Sequence, residues 1–400
     1  MRLVRAGVPR GAAAHGDPGP LQRRRQARLP IRGGPRPGRP ALPGVVRRDR
    51  SGRQGGGTLS AIRVPASRME KALAETGWRV MVPSGAGRKG GYVELRAGGR
   101  LPRECGDHTK PSTPPKGLVF PNNEELLSYV LGVKGEIEVG PASHTMARTV
   151  LYGTPPCDTA SFRALDSALL KDMAEPGYAG KRGLLGVIGM ACSRAGRWCF
   201  CTSVGLSPRS NIGADLMVYP DGDDLLVERV SDRLDGLWKR LEAGAAGADE
   251  KALRAVEGKF VPRVLNFVFE AEKLADALEK AFGSPYWKEF SERCVSCGIC
   301  TFLCPTCHCF DITDVAKDEL SGKRLRTWDT CQFPEFTGET SAHNPRKERW
   351  ARQRQRVLHK FLYHPRNHGH MMCTGCGRCI RYCPVDINIA EGVMRLGGSK

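Results

Sequence analysis

Apolar and polar positions between residues 180 and 285 follow two periods. Residues 184–188, 215–219 and 225–230 are short, mostly apolar runs with the length of buried strands, and Gly189 closes the first just ahead of Cys192. Leu234, Leu237, Trp238 and Leu241 then recur at helical spacing. So do Phe267, Ala271, Leu274, Leu278 and Phe282, where Gly283-Ser284-Pro285 stops the pattern. A third helical stripe, Trp350, Val357, Leu358 and Phe361, runs through residues 346–363, which are strongly basic. Strands mixed with helices predict an α+β chain: a mixed α/β domain over residues 69–285 and a second domain over 286–400. No run approaches the roughly 18–20 apolar residues of a membrane helix, so membrane insertion is not expected.

Residues 1–68 carry no such pattern. They hold 12 Gly, 9 Pro and no aromatic residue, a composition too poor in apolar surface to offset ordering entropy, and predict a disordered tail. They also hold 16 Arg and two acids, which is +14 of the chain's formal +20. Another +6 lies in residues 346–360, so the rest of the chain is neutral and the charge does not mark a polyanion binder. The tail lacks the stacking aromatics of an RNA-binding arm, and no apolar stretch follows Arg23-Arg24-Arg25 as a secretory signal requires. The reading adopted is that Met69 is the true start.

Eleven of the 16 cysteines crowd into residues 294–383. Cys294-x2-Cys297-x2-Cys300-x3-Cys304-Pro305 and Cys373-x2-Cys376-x2-Cys379-x3-Cys383-Pro384 share the spacing of the bacterial ferredoxin run for [4Fe–4S] clusters. Three closely spaced thiolates serve one cube, and the fourth cysteine of each run serves the other. One cube is thus expected on Cys294, Cys297, Cys300 and Cys383, the other on Cys373, Cys376, Cys379 and Cys304. Structural zinc favours paired CxxC units, and disulfides require an oxidising compartment, which the missing signal argues against. A cytoplasmic chain is expected. The insertion over 305–372 has to loop out for the halves to pack together.

Other cysteines leave readings open. Cys157, Cys192, Cys199 and Cys201 have the count and type for a third cluster or a zinc site, against ordinary buried thiols or a redox pair. Cys307, Cys309 and Cys331 are either a further site or inert buried thiols, and Cys105 is incidental. The basic helix either packs one face with solvated arginines, or offsets the anionic clusters or docks an acidic partner. No glycine fingerprint or P-loop marks a nucleotide site, and no catalytic residue is expected, because an electron carrier breaks no substrate bond.

Several motifs together carry a resemblance: the paired cysteine runs, Cys304-Pro305-Thr306-Cys307-His308-Cys309, Trp328-Asp329-Thr330-Cys331, His343-Asn344-Pro345-Arg346, His359-Lys360-Phe361, Cys157-Asp158 and Cys199-Phe200-Cys201. From about Met69 onward the chain resembles the beta subunit of cytoplasmic sulfhydrogenases and, equally, the ferredoxin-type subunit of anaerobic sulfite reductase. The resemblance implies an iron–sulfur subunit that relays electrons between a flavin subunit oxidising NAD(P)H and a catalytic partner, a nickel–iron hydrogenase or a sirohaem sulfite reductase. The alternative is a self-sufficient iron–sulfur flavoenzyme whose first domain binds its own cofactor or substrate. Nucleic-acid binding through the basic helix is not expected.

Overall fold

The computed structural model describes residues 60–85, 90–96, 98–132, 136–142, 147–248, 250–260 and 266–397; the expected tail over 1–59 lies outside the described residues. Among the described residues the strands are β1 (Ala61–Pro65), β2 (Arg79–Pro83), β3 (Tyr92–Glu94), β4 (Asn123–Leu131), β5 (Ile137–Pro141), β6 (Thr149–Thr154), β7 (Leu185–Met190), β8 (Leu216–Asp221), β9 (Asp224–Arg229), β10 (Ala246–Ala248), β11 (Phe310–Ala316) and β12 (Ser321–Trp328). Eight form one sheet in the order β10-β1-β9-β8-β7-β6-β2-β3. Its middle, β8-β7-β6-β2, is parallel, and the flanking strands are antiparallel.

Strand β7 is buried at all six positions, as a parallel strand covered on both faces must be. Its side chains alternate between two cores. Ile188 and Met190 join Met69, Leu73 and Trp238 under the helices Ala66–Ala74 and Asp235–Glu242. Leu185 and Val187 join Phe162, Leu165 and Tyr178 under Pro156–Leu169 and Pro176–Leu184. The connections after β6 and β7 leave from the carboxyl edge of the parallel strands, where α/β sheets place ligands. Cys157 follows β6 there, and Cys192 follows β7.

The three strand runs read from the sequence correspond to β7, β8 and β9, and the 234–241 pattern to the helix Asp235–Glu242. The next pattern is helical only over Ala271–Lys280: Phe267 precedes the helix in extended chain, and Phe282 is exposed. Two boundaries are corrected. Residues 61–68 belong to the fold, because β1 pairs with β9 along its whole length and with β10 on its other side, burying Ile62 and Val64. The described fold therefore includes residues 60–68, and a chain starting at Met69 would lack an inner strand. Met69 itself is buried within a helix.

The division at 285/286 is also crossed. β12 from the insertion pairs with β4, making a four-stranded antiparallel sheet in the order β11-β12-β4-β5. Phe200, Val204 and Ile212 share one core with Trp287, Phe361, Ile380 and Val393. All described residues belong to one compact unit, so the insertion is a packed structural element rather than an excluded loop.

Removing β1 exposes its neighbours and forfeits the burial of Ile62 and Val64, about 3–6 kcal/mol at the usual worth of such side chains, against a net stability of about 5–15 kcal/mol. A chain begun at residue 69 is expected to be insoluble or to melt without cooperativity, whereas one begun at residue 59 melts cooperatively. Circular dichroism melts of the two decide it, and equal melts would contradict a structural role for β1.

Candidate metal centres

The first cysteine set gathers in one hollow of about 330 Å³, lined by Cys294, Cys297, Cys300 and Cys383 with Gln332, Gln353 and Arg356; Cys379 of the second run also reaches its wall. A left-handed Ser296 and Gly298 wrap the loop tightly before the short helix Ile299–Phe302. At Gly298 a Cβ would lie 2.8 Å from Thr330 Cγ2, so both conformation and space demand glycine. Donors point at the sulfurs: Ser296 N to Cys294 Sγ (3.4 Å), Gln353 Nε2 to Cys294 Sγ (3.1 Å) and Ile387 N to Cys383 Sγ (3.2 Å). Cys297 alone is exposed.

The second set is built the same way. Gly375 and Gly377, both left-handed, wrap Cys373 and Cys376 before the short helix Arg378–Arg381. Cys304 arrives from the other run and lies within electrostatic reach of Cys373, Cys376 and Cys379. Lys360 Nζ donates to its Sγ (3.2 Å) and to Thr306 Oγ1 (3.1 Å). Cys383 thus lies with the first triplet and Cys304 within reach of the second, while Cys379 borders both.

Buried cations accompany both sets. The basic helix is α-helical over Arg349–Leu358, turns π-helical over His359–Tyr363 and ends as His364–His368. Its apolar stripe packs as expected, but Arg352, Arg356 and Lys360 are buried too, so the reading of a face with solvated arginines fails at these three. Arg356, 2% exposed, acts on thiols of both sets, Cys300 and Cys379 foremost. Its Nη1 donates to Gln353 Oε1, while Nε and Nη2 meet no protein acceptor among the described residues. Leaving such donors unmet in the interior costs free energy. A guanidinium with two unmet donors, lining a hollow with five cysteines, fits an anionic, sulfur-bearing group there, as a thiolate-ligated iron–sulfur cube is.

A third hollow, of about 410 Å³, is lined by Cys157, Cys192, Cys199 and Cys201 with Asp107 and Lys110. All four suspected residues are thus brought together at the carboxyl edge of β6 and β7. Lys110 is buried and donates to Asp107 Oδ1 (2.9 Å), Cys199 Sγ (3.4 Å) and the Cys376 carbonyl (2.7 Å), linking this hollow to the second set. Burial pushes the Cys201 thiol up to about 12 and raises Cys157 and Cys192, so these thiols ionise only with a cation's help. One zinc ion needs donors within about 2.3 Å. Among the described residues no three His, Cys, Asp or Glu side chains stand close enough to share a single ion, which counts against the zinc reading. Cys105 is buried beside Cys192 but does not line the hollow.

Sequence reasoning missed the pair that joins the halves. Asp158 and Arg378, both almost fully buried, bond through both carboxylate oxygens, with Nη2 to Oδ2 at 2.6 Å. Tyr92 Oη donates to the same carboxylate (2.8 Å), and Arg378 Nε to the Pro111 carbonyl (2.8 Å). Each residue adjoins a cysteine, Cys157 or Cys379, and that adjacency was the available signal. Of the remaining thiols, Cys307 interacts electrostatically chiefly with Cys304, and Cys309 with Cys331.

Residues 293–387 match the family model of a 4Fe-4S dicluster domain. The chain is similar to sulfhydrogenase 2 subunit beta of Pyrococcus furiosus, 28% identical over 288 residues, which is 70% of this chain and 82% of that relative. The domain match makes this an iron–sulfur protein. No helix among the described residues is long and apolar enough to cross a membrane.

Two substitutions follow from these contacts. Asp158→Ala strands a buried guanidinium and is expected to cost about 3–5 kcal/mol, read as a lowered denaturant midpoint; an unchanged midpoint would remove the pair from the fold's supports. His364 is buried, with the His368 and His370 rings 4.4 and 4.8 Å away. Burial, then His370 and His368, push it down to about 2. Its folded value lies below the unfolded ~6.5, so the stability it contributes is complete above pH 6.5 and lost on acidification, about 2 kcal/mol by pH 5. His364→Gln should flatten that slope between pH 7 and 5, as denaturant midpoints at the two pH values would report.

Proposed function

We propose, taking the likeness to a sulfhydrogenase beta subunit as premise, that this chain is the iron–sulfur electron-transfer subunit of a multi-subunit oxidoreductase. Cys294, Cys297, Cys300 and Cys383 hold one [4Fe–4S] cube, and Cys373, Cys376, Cys379 and Cys304 hold a second. Cys157, Cys192, Cys199 and Cys201 hold a third cluster. Each cube, when bound, takes up or releases one electron at a time. The observation that carries the reading is Arg356, buried between thiols of both runs, lining the first hollow with two donors that meet no protein acceptor among the described residues.

The residues of this chain tune rather than react. Arg356 and Lys360 set buried positive charge against cysteine thiolates, which favours the more negative, reduced state of whatever they ligate. Lys110 does the same between the third hollow and the Cys376 loop. Exposed Cys297, beside exposed Val295, leaves the first site nearest to solvent and to a partner. The partners implied are a flavin subunit that oxidises NAD(P)H and a nickel–iron hydrogenase or sirohaem sulfite reductase subunit, in the cytoplasm.

Iron analysis of anaerobically prepared protein tests the assignment. About twelve irons per chain are expected with three cubes, and Cys383→Ala should remove about four of them. About eight irons in the parent would sink the third site alone. Fewer than about six would sink the two-cube reading.

A further inference from the structure

Cys105, Cys307, Cys309 and Cys331 remain once the three quartets are assigned. Neither Cys309 nor Cys331 lines a hollow described above, yet each thiol acts on the other more strongly than on any other group. The β11–β12 hairpin explains why. Phe310 pairs with Trp328, and Asp329 N donates to the Cys309 carbonyl (3.0 Å), so the ladder continues one step to Cys309. A turn then closes from Phe333 N to the Thr330 carbonyl (3.0 Å) and returns Cys331 against Cys309. Gln332 Nε2 fixes the second sulfur, donating to Cys331 Sγ (3.3 Å).

The pair's surroundings differ at its two ends. Cys331 lies within electrostatic reach of Cys300 and Arg356, which belong to the first site. Cys309 lies within reach of Lys360, which holds Cys304 of the second site, and of Cys307. A two-electron couple is thereby set between two one-electron sites.

We propose that Cys309 and Cys331 form a dithiol/disulfide centre that exchanges an electron pair with the two flanking cubes; this rests on the two-cube reading above. In the oxidative direction the two S–H bonds break, one S–S bond forms, two protons leave to solvent, and two electrons pass on, one to each cube. The reverse step consumes two electrons and two protons and restores the thiols. Dithiol potentials and [4Fe–4S] potentials overlap, so exchange in either direction is feasible.

The test is differential alkylation of the full-length holoprotein, poised anaerobically across a series of redox buffers and quenched in acid with N-ethylmaleimide before peptide mass spectrometry. The expected result is a linked Cys309–Cys331 peptide that appears and disappears as a unit, with a tenfold change in the disulfide-to-dithiol ratio per about 30 mV, the slope of a two-electron couple. Thiols that stay separately alkylated throughout the range in which the cubes titrate would overturn it. The double variant Cys309→Ser/Cys331→Ser is expected to keep the parent's iron content. A loss of about four irons would make these cysteines ligands and overturn the proposal. A parent holding fewer than about six irons would instead bring down the two-cube reading and the inference with it, and the iron count alone tells these failures apart.

Discussion

A guanidinium out of reach of water needs an anion, and much of this molecule is arranged around that requirement at Arg356. Burying one such charge without compensation costs several kcal/mol. The chain nevertheless buries Arg352, Arg356 and Lys360 on one helix, packed by Val357, Leu358 and Phe361 against the shared core. That arrangement is stable only if the thiols facing these cations carry negative charge. The thiols, in turn, are buried: Cys300 is pushed up to about 11 and Cys379 to about 12. Neither partner is comfortable alone. An iron–sulfur cluster bound here would meet both demands, ionising the thiols and presenting sulfides as acceptors, and would couple folding to cofactor binding in this half of the protein.

The same logic fixes how the α/β sheet meets the cysteine-rich half. Phe200 N donates to the Gly375 carbonyl (2.9 Å), and a Cβ on Gly375 or Gly377 would come within 2.5 Å of backbone in the loop carrying Trp198, Phe200 and Cys201. The two cysteine loops therefore pack backbone against backbone. Lys110 and the Asp158–Arg378 pair then lock the contact with buried charge. The carboxyl edge of the sheet, a common ligand-binding position in open α/β folds, is here closed by a cysteine-bearing loop from the other half.

The two cysteine runs were legible because their spacing is dictated by one inorganic core, and β7, β8 and β9 because both of their faces are buried. β1 was not. Only Ile62 and Val64 alternate there, and a compositional average over 68 residues, dominated by Arg, Gly and Pro, concealed them. The pairing of β4 with β12 joins residues some 200 positions apart and leaves no local trace. The basic helix was legible as a helix, but a sequence cannot say whether an arginine faces water or a thiol. Arg356, turned inward, is for that reason the residue whose role was least visible along the chain.

The separation of the half-motifs has a consequence in time. Cys294, Cys297 and Cys300 leave the ribosome together, but Cys383 follows Cys300 by 83 residues. At the usual pace of synthesis the first three thiols wait roughly four to seventeen seconds for their fourth. Over that interval the nascent chain offers three thiols without the fourth. The β11–β12 hairpin and the basic helix must be made before it arrives. The quartet is thus complete only after the insertion has been made, and any pause within the insertion lengthens the wait.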